Sequence, residues 1–122
     1  MSLIFCTSNP DKLKFAKLAC QKHGVELEQI DNQVDEVQSE DPIEIIKHKA
    51  KSVFEKTDKP LLVSDDCWSI PALNGFPGPY MKSMNHWFTA SDWLKIMKNY
   101  QDKTIYLTAR LAYINKNGLI TI

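Results

Sequence analysis

Two rhythms of apolar residues alternate along this chain, one close to two residues and one close to 3.6, and the changes between them mark its elements. Leu3-Ile4-Phe5-Cys6 is a short continuous apolar run and predicts a buried strand. Asn9 and Pro10 follow as an N-cap and a first helical residue. Leu13, Phe15, Ala16, Leu18, Ala19 and Cys20 then cover a wide face of a helix running to about His23, with Gly24 as its stop. That breadth predicts a helix packed on a sheet. Val25 to Ile30 predicts a second strand, and Asp31 to Glu40 a polar, irregular or extended segment. Asp41, Pro42 and Glu44 supply the cap, first residue and acid of a capping box. Behind them Ile43, Ile46, Ala50, Val53 and Phe54 form one stripe at helical spacing. Lys49 flanks that stripe, where its stem can pack while its ammonium reaches a cleft.

Thr57-Asp58-Lys59-Pro60 predicts a turn, and Leu61-Leu62-Val63 a short strand too uniformly apolar for a solvated edge. A helix is predicted from about Ser91 to Asn99, carrying Trp93, Leu94 and Met97. From Thr104 to Ile114 the period is two: Ile105, Leu107, Ala109 and Leu111 share one face, and Tyr106, Thr108, Arg110 and Ala112 the other. Asn117-Gly118 signals a hairpin whose returning strand begins at Leu119. The expectation is an α/β fold, a mixed central sheet with flanking helices, in one domain over the 122 residues.

Composition narrows the classes. Hydrophobic residues make up 43% of the chain, enough for a core, and 25% are charged. Fifteen basic residues balance fifteen acidic ones, which argues against a dedicated nucleic-acid binder. No apolar run approaches the ~20 residues that cross a bilayer. Met1 to Cys6 is too short for a signal peptide. Cys6, Cys20 and Cys67 are odd in number and contain no Cys-x-x-Cys, so the expectation is reduced thiols in a cytoplasmic protein. His23, His48 and His86 have no metal-ligand spacing, which argues against zinc.

Three segments carry candidate chemistry. Thr7 to Lys12 lies between a strand and a helix N-terminus, where free N–H groups and the helix dipole favour an anion such as phosphate. It lacks the glycines of a Walker loop, and caps alone also account for its residues. Asp65 and Asp66 are adjacent carboxylates at the end of an apolar strand, costly unless a cation, hydrogen bonds or solvent compensate them. Magnesium suits such oxygen ligands, a carboxylate could accept a proton from water, and turn capping is the plainer alternative. Asn74-Gly-Phe-Pro-Gly-Pro-Tyr80 combines glycines that permit close backbone approach with prolines that limit the entropy of ordering. Either a ligand or a structural turn explains it. Trp68, Trp87 and Trp93 are core, interface or base-stacking residues, and Glu36 and Glu40 are solvated acids or metal ligands.

Thr7-Ser-Asn-Pro-Asp-Lys12, Glu36-Val-Gln-Ser-Glu40, Lys49-Ala50, Val63-Ser-Asp-Asp66 and Ala72-Leu-Asn-Gly-Phe-Pro-Gly-Pro-Tyr80 together resemble the inosine triphosphate pyrophosphatase family. The resemblance implies that family's α/β architecture and cleavage of deaminated purine nucleoside triphosphates to monophosphate and pyrophosphate. It implies that Thr7, Ser8, Asn9 and Lys12 hold the triphosphate, and that Lys49 faces phosphate. Glu36 and Asp65, with Asp66 as a further acid, would bind magnesium, Asp65 binding metal or activating water. Gly78, Tyr80 and Lys82 would line the nucleotide cleft. Catalysis would fall to Asp65, Lys12 and Lys49. The edge strand left exposed at Thr104 to Ile122 suits pairing with a second copy, so a homodimer is the expected assembly. Ser8 departs from the family's usual glycine, Ser64 from its glutamate, and Asp66 from a small hydroxyl residue. The family's aromatic-Gly-x-Asp-Pro and Ser-His-Arg segments, which read the base, have no counterpart, so either a truncated product or a natural short form is expected. Its rivals are an inactive nucleotide-binding remnant and an oligomerisation module.

Overall fold

The computed structural model describes residues 2–31, 34 and 36–122. Its elements are β1 (Ser2–Cys6), α1 (Pro10–Gln21), β2 (Glu26–Ile30), α2 (Pro42–Thr57), β3 (Leu61–Ser69), β4 (Pro77–Gly78), α3 (Met81–Trp87), α4 (Ala90–Met97), β5 (Tyr106–Ile114) and β6 (Ile120–Thr121), with a 3-10 turn at Pro71–Leu73. The sheet runs β2-β1-β3-β5-β6, with β4 added to β3. β1 is parallel to β2 and β3, while β4 is antiparallel to β3 and β6 to β5, so the sheet is mixed as expected. Of the polar segment from Asp31 to Glu40, Asn32, Gln33 and Asp35 lie outside the described residues. Its remaining residues form no helix or strand.

The chain divides into two compact units, Met1–Asp65 with Arg110–Ile122, and Asp66–Ala109. In the first unit, α2 lays Ile46, Ala50 and Val53 on Cys6, Leu61, Val63, Ala112 and Ile114, all buried. Burial of each larger side chain contributes roughly 1.5–3 kcal/mol. Both ends of α2 are closed locally. Asp41 accepts the Ile43 N–H at 2.9 Å, and Asp58 in the left-handed region donates to Phe54 at 2.7 Å. The capping box expected from Glu44 does not form. Its carboxylate accepts from Ser39 Oγ at 2.7 Å, and the same hydroxyl accepts the Asp41 N–H at 3.1 Å.

α1 differs from expectation. None of its residues is buried, and Phe15 and Leu18 are exposed. Of its apolar residues only Leu13, Ala16 and Cys20 are half-buried; Phe15, Leu18 and Ala19 are exposed. The third strand is also longer than predicted. It continues through Ser64, Asp65 and Asp66 to Ser69, because β4 offers backbone partners to Trp68 and Ser69 beyond the apolar run. The acids therefore lie within a strand rather than at its end.

In the second unit, Trp93 packs its ring against Trp68, Phe76 and Phe88, with centroids 5.5–6.3 Å apart, and donates to Asn85 Oδ1 at 3.1 Å. Asn74 and Gly75 take positive φ, Phe76-Pro77 is cis, and the glycine-proline loop folds back as β4. α4 starts with a full capping box between Thr89 and Asp92, which the sequence reading missed along with α3. The hydrogen bonds from Thr89, backbone then hydroxyl, hold the Asp92 carboxyl below its usual range. Thr104 does the same for Asp102.

Candidate active site

β1 ends at Cys6, directly opposite Val63 of parallel β3. Thr7 and Ser64 therefore follow side by side at the carboxyl end of β1, the position where open α/β sheets bind ligands. Thr7 is fixed on both sides of its backbone. Its N–H donates to the Ile30 carbonyl at 3.1 Å, and its own carbonyl accepts from Gln29 Nε2 at 2.9 Å. Gln29 escaped the sequence reading, because a polar residue on a short strand carries no signal of the carbonyl it will meet.

The turn after Thr7 is wound around its own side chains. Thr7 Oγ1 accepts the Asn9 N–H at 3.2 Å, and Asn9 Oδ1 accepts the N–H groups of Asp11 at 2.9 Å and Lys12 at 3.2 Å. Two N–H groups at the helix start are thus satisfied internally. Ser8 and Asn9 are exposed and Lys12 is half-buried at the first turn.

Lys49 reaches the neighbouring strand. Its ammonium donates to the Ser64 carbonyl at 3.0 Å and stands 3.9 Å from Glu36 Oε1. The lysine side chain is 21% exposed, so its stem packs as expected while its charge is held at the β3 backbone. Ser64 itself is buried, at 7% exposure. Asp65 is the next residue, half-buried and not without a partner. Thr7, Ser8, Asn9, Lys12, Glu36, Lys49 and Asp65 all belong to one unit, and within it Glu36 and the Ser64 carbonyl meet on the Lys49 ammonium.

Asp66, Gly78, Tyr80 and Lys82 belong to the other unit. There Gly78 pairs with Trp68 at φ +53, and a Cβ on it would lie 3.3 Å from the Gly75 carbonyl oxygen. Tyr80 and Lys82 are exposed, at and just inside the start of α3. Among the described residues no group of three or more His, Cys, Asp or Glu could hold a metal ion by itself.

The family model described as the Ham1 family matches residues 3–122. The chain belongs to the Ham1 family. Ham1-family relatives include a dITP/XTP pyrophosphatase of Methanopyrus kandleri, 30% identical over 97% of this chain and 63% of its own length. Another, from Methanosarcina acetivorans, is 32% identical over 91% of this chain and 60% of its own. The chain thus spans about three-fifths of the length of these curated relatives. The Staphylococcus aureus Ham1 protein superposes with a TM-score of 0.77 at 17% identity, covering 99% of this chain and 67% of that one, which shows the Ham1 fold. The family and fold expected from the segments between Thr7 and Tyr80 are both borne out.

Proposed function

We propose that this chain carries the phosphate-cleaving part of a nucleoside triphosphate pyrophosphohydrolase acting on ITP, dITP and XTP. The observation that carries the reading is the Lys49 ammonium fastened to the β3 backbone one residue before Asp65, beside the Thr7–Lys12 turn. The names of the Ham1-family relatives support it, since those proteins are called dITP/XTP pyrophosphatases.

In this reading Lys12 and Lys49 hold the phosphate oxygens as point charges, and Ser8 and Asn9 add donors from the turn. Asp65 orients a water and accepts its proton as the water oxygen bonds to the α-phosphorus. The bond from that phosphorus to the bridging oxygen breaks, its electron pair leaves with pyrophosphate, and the monophosphate remains. Positioning and preorganised positive charge carry most of the rate enhancement.

Magnesium fits this donor set. Glu36 and Asp65 offer hard carboxylate oxygens, and magnesium is commonly held by one or two carboxylates together with substrate phosphates rather than by a complete protein cage. In this reading the ion would be shared between those carboxylates and the phosphates of the nucleotide. When bound, it neutralises charge developing on the phosphates.

Ser64 favours a second reading, nucleotide binding without turnover, because it replaces the acid expected there. The deciding experiment measures pyrophosphate release from ITP, dITP and XTP, with ATP and GTP in parallel, with and without magnesium. Magnesium-dependent release favouring the deaminated nucleotides upholds the enzyme. A nucleotide-induced rise in Tm without any release assigns the binding-only role. Neither effect would remove both.

A further inference from the structure

We propose that Arg110 is a phosphate-binding residue that reaches the Ser64–Asp65 stretch of β3 from the neighbouring strand; the inference rests on the pyrophosphohydrolase reading of that stretch. Every residue in the argument lies in the unit formed by Met1–Asp65 and Arg110–Ile122.

Three observations place it. The first is the face. Ala112 and Ile114 of β5 lie in the same buried cluster as Leu61 and Val63 of β3, beneath α2. Side chains alternate along a strand, so Arg110, two before Ala112, and Asp65, two after Val63, share that face with Lys49. The second is the direction. Gly118 lies in the turn that closes β5 on β6, and a Cβ there would stand 3.9 Å from Phe54 Cε1. Phe54 is in the last turn of α2, just before β3 starts at Leu61. The end of β5 therefore meets the beginning of β3. β3 and β5 are neighbours in the sheet, and that meeting of ends implies that they run in opposite directions, which brings Arg110 toward Asp65.

The third is chemistry. Arg110 is the one charged residue of β5 and is half-buried. A guanidinium cannot shed its charge, so partial burial has to be compensated by anions or acceptors. It already has a partner in this structure. Its five donors allow it to keep one partner and still grip a phosphate with two parallel hydrogen bonds. Lys49 supplies a compact charge fixed by Ser64; Arg110 supplies the planar fork that a lysine lacks. Together they suit the two terminal phosphates, the part released as pyrophosphate.

The test uses inorganic pyrophosphate, whose binding needs no turnover. Calorimetric titration is compared for the unaltered chain, Arg110→Gln, Arg110→Val and Arg110→Lys, alongside ITP hydrolysis. We expect the neutral variants to keep their Tm within a few degrees and bind pyrophosphate about tenfold more weakly or worse, with the lysine variant intermediate. In turnover, KM for ITP should rise more than kcat falls. Pyrophosphate affinity within twofold of the unaltered chain in a folded neutral variant overturns the proposal. So does unfolding of both neutral variants, which would make the arginine structural, or failure of the unaltered chain to bind pyrophosphate. Arg110-dependent pyrophosphate binding by a chain that leaves ITP intact upholds this inference while rejecting the hydrolase reading.

Discussion

Lys49 uses one of its three donors on the Ser64 carbonyl and leaves its charge beside the middle of β3. Lys49→Met preserves the apolar stem and removes the ammonium. It should raise the KM for ITP about tenfold or more, since charged hydrogen bonds contribute roughly 1.5–3 kcal/mol, while the far-ultraviolet dichroism stays unchanged. Asp65→Asn keeps shape and removes the proton acceptor, so pyrophosphate release should fall by about a hundredfold or more with nucleotide binding retained. Full activity in that variant would remove Asp65 from the mechanism. At this scale the sequence was informative where a residue's role is local. Asn9 caps the helix that begins beside it, and Thr7 accepts from two residues on. Gln29 and Arg110 were illegible, because their surroundings depend on which strand lies next to them and in which direction it runs.

Elements were legible wherever their ends carry chemistry. Asn9 and Asp41 cap α1 and α2 as read, and Asp41→Ala should destabilise the chain by about 1 kcal/mol in urea unfolding. Glu44 shows the limit of such patterns: the right spacing existed, but Ser39 offered its carboxylate a closer donor. β3 was read too short because Ser64, Asp65 and Asp66 look like a strand terminus, whereas strand length depends on backbone partners. α3 has no side-chain cap and spans only seven residues, too few for a clear period. The box on α4 has a pH signature. Thr89 favours the charged form of Asp92 and depresses its pKa below 3.8, so the stabilisation is present above that value and is lost as pH falls through the folded-state pKa. Carboxyl NMR of Asp92 should titrate below 3.8, and Thr89→Ala should move that midpoint upward. A midpoint unchanged by Thr89→Ala would deny the coupling. Gly78→Ala places a Cβ at φ +53 and should cost about 1–2 kcal/mol.

At the scale of the whole molecule, each unit is held differently. The unit containing β1, β2 and α2 depends on one buried layer, and Ile46→Ala should cost about 2–5 kcal/mol there. The face of β5 turned away from that layer is less covered. Leu111 and Tyr113 of β5 are exposed, as are Phe15 and Leu18 of α1. Leu111→Gln should therefore reduce the fluorescence of a bound hydrophobic dye while changing stability by no more than about 0.5 kcal/mol. A large loss of stability would place Leu111 in the core instead. The alternation of β5 was readable in advance, but which of its faces α2 would cover was not, since both carry apolar residues. One contact has a longer reach than its 3.0 Å. Because Lys49 is held by a main-chain oxygen, its position does not depend on which side chain residue 64 carries. A serine in place of an acid at residue 64 therefore takes a charge from the site without releasing the lysine.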